Sequence, residues 1–345
     1  MKERKLDLDF VRIIACFFVI YIHTCGVIVD KAEISVTYCF SLLIMFIAKT
    51  AVPLFLLISG ACLLNKETNI KRWLLSILRI VLVIIIFSLL YLSWYKDSSD
   101  NLFSFYFSTI YSSYIIGVYW YLYCYLGILI VLPLLRRIHF DTKDYLYLFL
   151  LYMIFQGIIP FFCYYFSLPI YNDKILLVFF STYTVCLFLG DFLENKFDWK
   201  SYFSKYNIYV VLILIFDLLI SLFFVLRDIK LTGTTNLNAI YDTQCYFTTM
   251  VATACIFLLV KTTCFHFKFS NIIHKSISEY GKSTFGIYLI HMKVISILEK
   301  LQIKQYLINN LNDLIAILIF DVIVFFVSFI LIESVRHLPI MRKLI

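Results

Sequence analysis

LDFVRIIACFFVIYIHTCG, residues 8–26, is an apolar run of bilayer length with a cation, Arg12, near its start and an imidazole, His23, near its end. A helix rises about 1.5 Å and turns about 100° per residue, so the pair is separated by about 16 Å along the axis and about 20° around it. Both side chains therefore lie on one stripe, with Val19 and Gly26 on it and Cys16 beside it. A cation and an ionisable ring on one face of so apolar a segment are costly in lipid unless they meet protein or a water-filled cavity. The run reads as a membrane span, and its polar stripe as a functional one.

The rest of the chain repeats the apolar pattern. Of its 345 residues, 62% are hydrophobic and 15% charged, and its apolar runs repeatedly approach or exceed the ~18 to 20 residues that cross a bilayer. This predicts an all-α polytopic membrane protein, one membrane domain over residues 1–345 with no fused soluble domain. Ten candidate spans fall at about 9–28, 42–64, 73–95, 117–135, 145–166, 175–193, 207–226, 241–261, 283–300 and 312–333. The opening MKERK ahead of an apolar run imitates a signal peptide. Arg12 and His23 interrupt that run and no small-residue cleavage pattern follows, so it is read as an uncleaved first span.

The net charge of +8 sits mostly in short loops, where it signals topology rather than a nucleic-acid partner. Taking the loops alternately places nineteen Lys and Arg on one side, among them Lys66, Arg72, Arg136, Lys196 and Lys282. The other side has seven, among them Lys31, Lys96 and Lys174. Both termini are then cytoplasmic, Arg12 lies at the inner end of the first span, and His23 lies in the outer half. The ten cysteines are scattered without a CxxC pair or a Cys/His cluster, so no metal site is expected.

Other polar residues stand out against this background. Lys49 in the second span either snorkels to the outer interface or points into an outward cavity. Pro53 is expected to bend that span, and Ser59-Gly60 to permit close packing. Arg72 and Arg79 share a face of the third span and form either an anion site with Arg12 or a lipid headgroup contact. YKDSSDNLFSFYFSTIYSSYIIG, residues 95–117, reads as an external connection whose aromatic-rich stretch forms a short interfacial helix. Trp120 and its neighbouring tyrosines form either an interfacial belt or a platform on which a sugar stacks. The mid-span Asp217 and Asp321 must be neutral, hydrogen-bonded or paired. RDIKLTGTTNLNAIYDT, residues 227–243, reads as a polar external loop. Thr284, Tyr288 and His291 recur at helical spacing and share a face.

Taken in order, LDFVRIIACFFVIYIH, VPLFLLISG, the arginines at and before ILRI, VYWYLYCYLGILIVLPLL and GIYLIH resemble the acyltransferase-3 family of integral membrane O-acyltransferases. The nearest branch is the one that O-acetylates bacterial surface polysaccharides. The resemblance covers essentially the whole chain, and its most specific element is the Arg12 to His23 spacing. It implies transfer of an acyl group, usually acetyl from cytoplasmic acetyl-CoA, to a hydroxyl of a cell-surface or lipid-linked glycan, with no permanently bound cofactor. His23 matches the essential first-helix histidine and Arg12 the arginine upstream of it. Arg72 and Arg79 lie where the family has a basic motif, although Leu75 stands where a second arginine four residues before Arg79 is frequent.

The chemistry of the residues agrees with these roles. Coenzyme A carries phosphates, for which Arg12, Arg72 and Arg79 are suitable donors of charge-assisted hydrogen bonds. Neutral imidazole suits removal of a sugar hydroxyl proton, making His23 the expected base or acyl relay. Lys49, Trp120, Tyr288 and His291 are expected on the acceptor side or in support. The expected partners are the bilayer, a glycan or glycolipid acceptor and polysaccharide-assembly proteins, and the expected location is a bacterial inner membrane. The rival reading is a transporter or glycolipid flippase, which predicts paired interrupted helices in corresponding halves.

Overall fold

The computed structural model describes residues 5–30, 33–94, 102–166, 181–233, 246–267 and 269–345, and every regular element among them is helical. In chain order these are α1 (Leu6–Thr24), α2 (Gly26–Val29), α3 (Val36–Ala48), α4 (Ala51–Leu63), α5 (Ile70–Ser88), α6 (Leu102–Ser112), α7 (Trp120–Leu135) and α8 (Thr142–Tyr152). They are followed by α9 (Ile159–Tyr165), α10 (Thr182–Asp191), α11 (Trp199–Thr232), α12 (Tyr246–His266), α13 (Asn271–Lys300), α14 (Ile303–Asn310), α15 (Asp313–Arg336) and α16 (Pro339–Leu344).

Among the described residues, seven helical segments are long and apolar enough to cross a bilayer: Val36–Leu63, Ile70–Leu92, Gly117–Leu135, Thr142–Cys163, Asn207–Thr232, Phe247–His266 and Asp313–Arg336. These coincide with seven of the expected spans. The expected first and ninth spans are the helices α1 and α13, whose Asp7, Asp9 and Arg12 in one case and Lys282, His291 and Lys293 in the other lower their apolarity. The expected sixth span is represented by α10, and residues 175–180 lie outside the described residues, as do Lys2, Arg4, Lys31, Lys96, Lys174 and Lys268 of the charge count.

The polar character of α1 is matched by its position. It packs against α4, α13 and α15 and also touches α3 and α12, with Val11, Ala15, Cys16 and Ile20 buried. Its Asp9 and Thr24 are buried against protein and Arg12 lines a cavity, conditions under which polar groups are tolerated in a membrane bundle. At its far end the Thr24 hydroxyl donates to Asp321 Oδ1 on α15 at 2.6 Å, supplying the partner that a mid-span carboxylate needs.

Pro53 acts as expected. Its missing N–H leaves the residue 49 carbonyl without a helical partner, and the second span is divided at Lys49-Thr50 into α3 and α4. The Gly60 expectation also holds. Gly60 on α4 lies against the backbone of Leu187 on α10, and Gly190 on α10 lies against the backbone of Leu57 on α4. This reciprocal pair lets two helices meet main chain to main chain, as small residues do in membrane bundles.

Side-chain caps set several helix starts. The Asn69 side chain accepts from the Arg72 N–H, Ser270 from Ile273 and Asn312 from Leu314, while Asp141 and Asp144 form a capping box. Each satisfies donors that the helix itself leaves unpaired. The short helix expected in the aromatic-rich part of residues 95–117 is α6. Two expectations are corrected. Residues 227–232 are not loop but the last turns of α11, ended by Gly233 at φ 68°, and residues 234–245 lie outside the described residues. Tyr119 and Tyr121 are not an interfacial belt, because both are buried in the bundle.

Candidate active site

A cavity of about 950 Å³ opens at the Arg12 end of the bundle and is walled by α1, α4, α5, α7 and α13. Among the described residues six cations line it, Arg12, Lys66, Arg72, Arg79, Arg136 and Lys282, with Glu67 as the one carboxylate. The seven-residue spacing of Arg72 and Arg79 turns both toward the cavity together with Ser76, while Trp73 secures α5 by donating Nε1–H to the Leu129 carbonyl at 2.6 Å. So strong an excess of one charge within low-dielectric walls concentrates anions.

Three of the arginines are held rather than loose. Arg12 Nη1 donates to Asp9 Oδ1 at 2.6 Å, and Nη2 approaches Cys62 Sγ at 3.8 Å. Asp9 is itself buried and in turn lies against Gly281 of α13, which has no Cβ to obstruct it. Arg79 donates Nε–H to the Leu344 carbonyl at 2.8 Å and lies over the Phe285 ring. Arg136 donates Nε–H to the Leu63 carbonyl at 2.9 Å, closing the end of α4. Each guanidinium retains further N–H donors for a ligand.

Farther in, the lining changes to Phe55, Tyr121, Tyr125, Thr284 and Tyr288. Tyr288 is fixed by donating its hydroxyl proton to the Val118 carbonyl, and Tyr91 and Tyr119 both donate to the adjoining Leu289 carbonyl at 2.9 Å. Tyr288 and Tyr119 thus fasten α13 to the turn before α7, and Tyr91 fastens it to the turn after α5, immediately before His291. The His291 ring lies 5.8 Å from that of Tyr288 and 5.5 Å from that of His23. Its Nδ1 lies 2.7 Å from the Tyr288 carbonyl oxygen, which can only accept, so Nδ1 carries the proton. Nε2 is then the unprotonated nitrogen, buried and without a partner among the described residues. His23 by contrast is exposed, with the Lys49 ammonium within electrostatic range.

A family model for the acyltransferase domain matches residues 5–333, nearly the whole chain. The chain belongs to the acyltransferase-3 family. It is a membrane acyltransferase, which sets aside the transporter reading. No curated protein and no solved structure matches it.

The expected site residues of this acyltransferase fall into two groups. Arg12, Arg72, Arg79 and Tyr288 line one cavity. His23, Lys49 and His291 lie together beyond its inner end, separated from it by the Tyr288 ring. Trp120 belongs to neither group; it packs on Tyr121 and Tyr183 and does not line the cavity. Several contributors were not recognised in the sequence. Arg136, Lys66 and Lys282 read there only as topology signals, and Tyr121 and Tyr125 as aromatic belt or sugar platform rather than as walls of the arginine cavity. Asp9 was overlooked, although its three-residue spacing from Arg12 is the signal of an ion pair on one helical face.

Proposed function

We propose that this acyltransferase moves acetyl from acetyl-CoA to a hydroxyl of a cell-surface or lipid-linked glycan, with His23 as the base. The observation that supports it best is a row of adjoining rings between the cavity and His23. An anion-attracting cavity leads inward to Tyr288, whose ring adjoins His291, which adjoins a His23 that is open on the opposite side. The donor diphosphate binds the arginines at the cavity mouth, and its thioester end points toward Tyr288. This orientation corresponds to ten spans with both termini cytoplasmic in a bacterial inner membrane, and the glycan approaches the His23 end.

In the transfer, neutral His23 takes the proton of the acceptor hydroxyl as its oxygen attacks the thioester carbonyl. The new C–O bond forms, the C–S bond breaks, and the coenzyme A thiolate leaves and takes up a proton. His291, with its tautomer set by the Tyr288 carbonyl, packs beside the His23 ring, and Lys49 stands near it on the acceptor side.

Purified protein in proteoliposomes, supplied with labelled acetyl-CoA and a membrane glycolipid fraction, tests this directly. Removing a general base typically costs about 10²–10⁴-fold, so His23→Ala should lose transfer by at least about 100-fold while still binding acetyl-CoA. Arg72→Ala should instead raise the acetyl-CoA KM. Full transfer by a folded His23→Ala protein would refute the assignment of the base, and absence of any transfer from acetyl-CoA by the wild type would refute the donor.

A further inference from the structure

Beside the mouth of the main cavity lies a second, smaller one of about 300 Å³, and the two share Asn65, Lys66, Glu67 and Arg136. A ligand bound in the main cavity can therefore extend into the side pocket across a common rim. A cavity of this size falls at the lower end of the range used for small-molecule sites.

The pocket combines two kinds of wall. One is aromatic: Phe140 is partly exposed and braced at 5.4 Å by Tyr145 and 5.0 Å by Phe188, both buried. The other is cationic. Lys196 and His139 are exposed and have no ionic or hydrogen-bond partner among the described residues. Arg136 stands on the shared rim with Nε on the Leu63 carbonyl and Nη1 directed at the Glu67 carbonyl and Thr68 hydroxyl, both at 3.5 Å. Its Nη2 is unengaged among the described residues.

Two carboxylates also line the pocket. Asp191, at its base, is buried and already accepts from Asn65, from the Tyr145 hydroxyl at 2.5 Å and from Asn195 Nδ2 at 2.8 Å, so it serves as a fixed floor. Glu67 lies on the rim beside Lys66. The pocket thus offers a ring face, unpaired cations and a rigid base, a combination that fits a purine with a phosphate close to it.

We propose that the side pocket takes the adenosine 3′-phosphate end of the acyl donor, with the base against Phe140 and the 3′-phosphate at Lys196 and His139. Arg136 then bridges to the diphosphate in the main cavity. The inference rests on acetyl-CoA as donor and adds a specificity: the enzyme distinguishes coenzyme A from the same arm carried without a 3′-phosphate. A lipid headgroup phosphate would leave the aromatic wall unused.

The test is calorimetric binding of adenosine 3′,5′-bisphosphate, adenosine 5′-phosphate and inorganic phosphate to the purified full-length protein, with Lys196→Ala as the variant. One charge-assisted hydrogen bond corresponds to about tenfold or more in affinity. The bisphosphate should bind at least about tenfold more tightly than the monophosphate, and Lys196→Ala should abolish that margin without changing the affinity for the monophosphate. Lys196→Arg should restore it. Equal affinities for the two nucleotides, or a margin unchanged in Lys196→Ala, would overturn the subsite, as would binding of inorganic phosphate alone. A parallel transfer assay separates the two readings. Transfer from acetyl-CoA without bisphosphate discrimination removes only the subsite, whereas discrimination in a protein that does not use acetyl-CoA removes only the donor assignment.

Discussion

Gly60→Ala should loosen the α4–α10 contact and disturb the cationic cavity with it. An added Cβ would stand 1.9 Å from the Leu187 carbonyl oxygen and 2.6 Å from its carbon, where ordinary contact begins at 3.4 Å. The helices must then separate locally by about 1.5 Å, and because the obstacle is backbone no side-chain rotation relieves it. Overpacking of this kind costs about 1–3 kcal/mol, and contact with main chain places the expectation at the upper end. In a detergent melt followed by tryptophan fluorescence this corresponds to a fall on the order of 5 °C. Ser59 and Cys62 on the same stretch of α4 line the cavity, so acetyl-CoA affinity should fall as well. Gly190→Ala meets the Leu57 carbonyl oxygen at the same 1.9 Å and should behave alike. The double variant should cost less than the sum, since one displacement relieves both clashes. Gly127→Ala is the control: its Cβ meets nothing within 4 Å, and a helical glycine replaced by alanine should be neutral or stabilising by about 0.5–1 kcal/mol. A Gly60→Ala protein that melts with the wild type and binds donor normally would show that the reciprocal glycine contact is not needed.

Two further perturbations address the Arg12 end. Lys261 is buried between Asp7 Oδ2, at 3.0 Å, and Glu194, so Lys261→Met should destabilise the protein by about 3–5 kcal/mol and Lys261→Met/Glu194→Leu should recover most of it; identical melting of the single variant and wild type would count against a structural role for the network. Gly281→Ala would bring a Cβ to 2.6 Å from Asp9 Cβ and 2.9 Å from its Cγ, displacing the partner of Arg12. Acetyl-CoA affinity should fall on the order of tenfold, and unchanged affinity by calorimetry would disconnect Asp9 from donor binding.

Much of the fold was legible because lipid imposes a strong length and apolarity rule. Seven apolar helices coincide with expected spans, and Pro53 and Gly60 act as their chemistry dictates. The rule is weakest where function has placed charge, and α1 and α13 are the two helices whose polar side chains reduce their apolarity. Within the site, helical spacing identified the stripe of Arg12 and His23, the shared face of Arg72 and Arg79, and the Tyr288–His291 pair. It did not bring together residues distant in sequence. Arg136 and Lys282 carried the same charge as any loop cation, and only packing turned them into one cavity with Arg12.

The sequence alone therefore determined a membrane-embedded helical bundle, its family and one polar stripe, because burial cost and helix periodicity act locally along the chain. The tertiary structure decided that Asp9 steadies Arg12, that Thr24 and Asp321 hold the far end of α1, and that His291 stands beside His23. Those relations depend on which helix faces are brought into contact, and that is set by reciprocal features such as Gly60 and Gly190, lying 130 residues apart. The stretch from Leu8 to Gly26 was recognisable as an interrupted span from its own residues. Its surroundings make it the helix joining a cationic cavity to an exposed histidine.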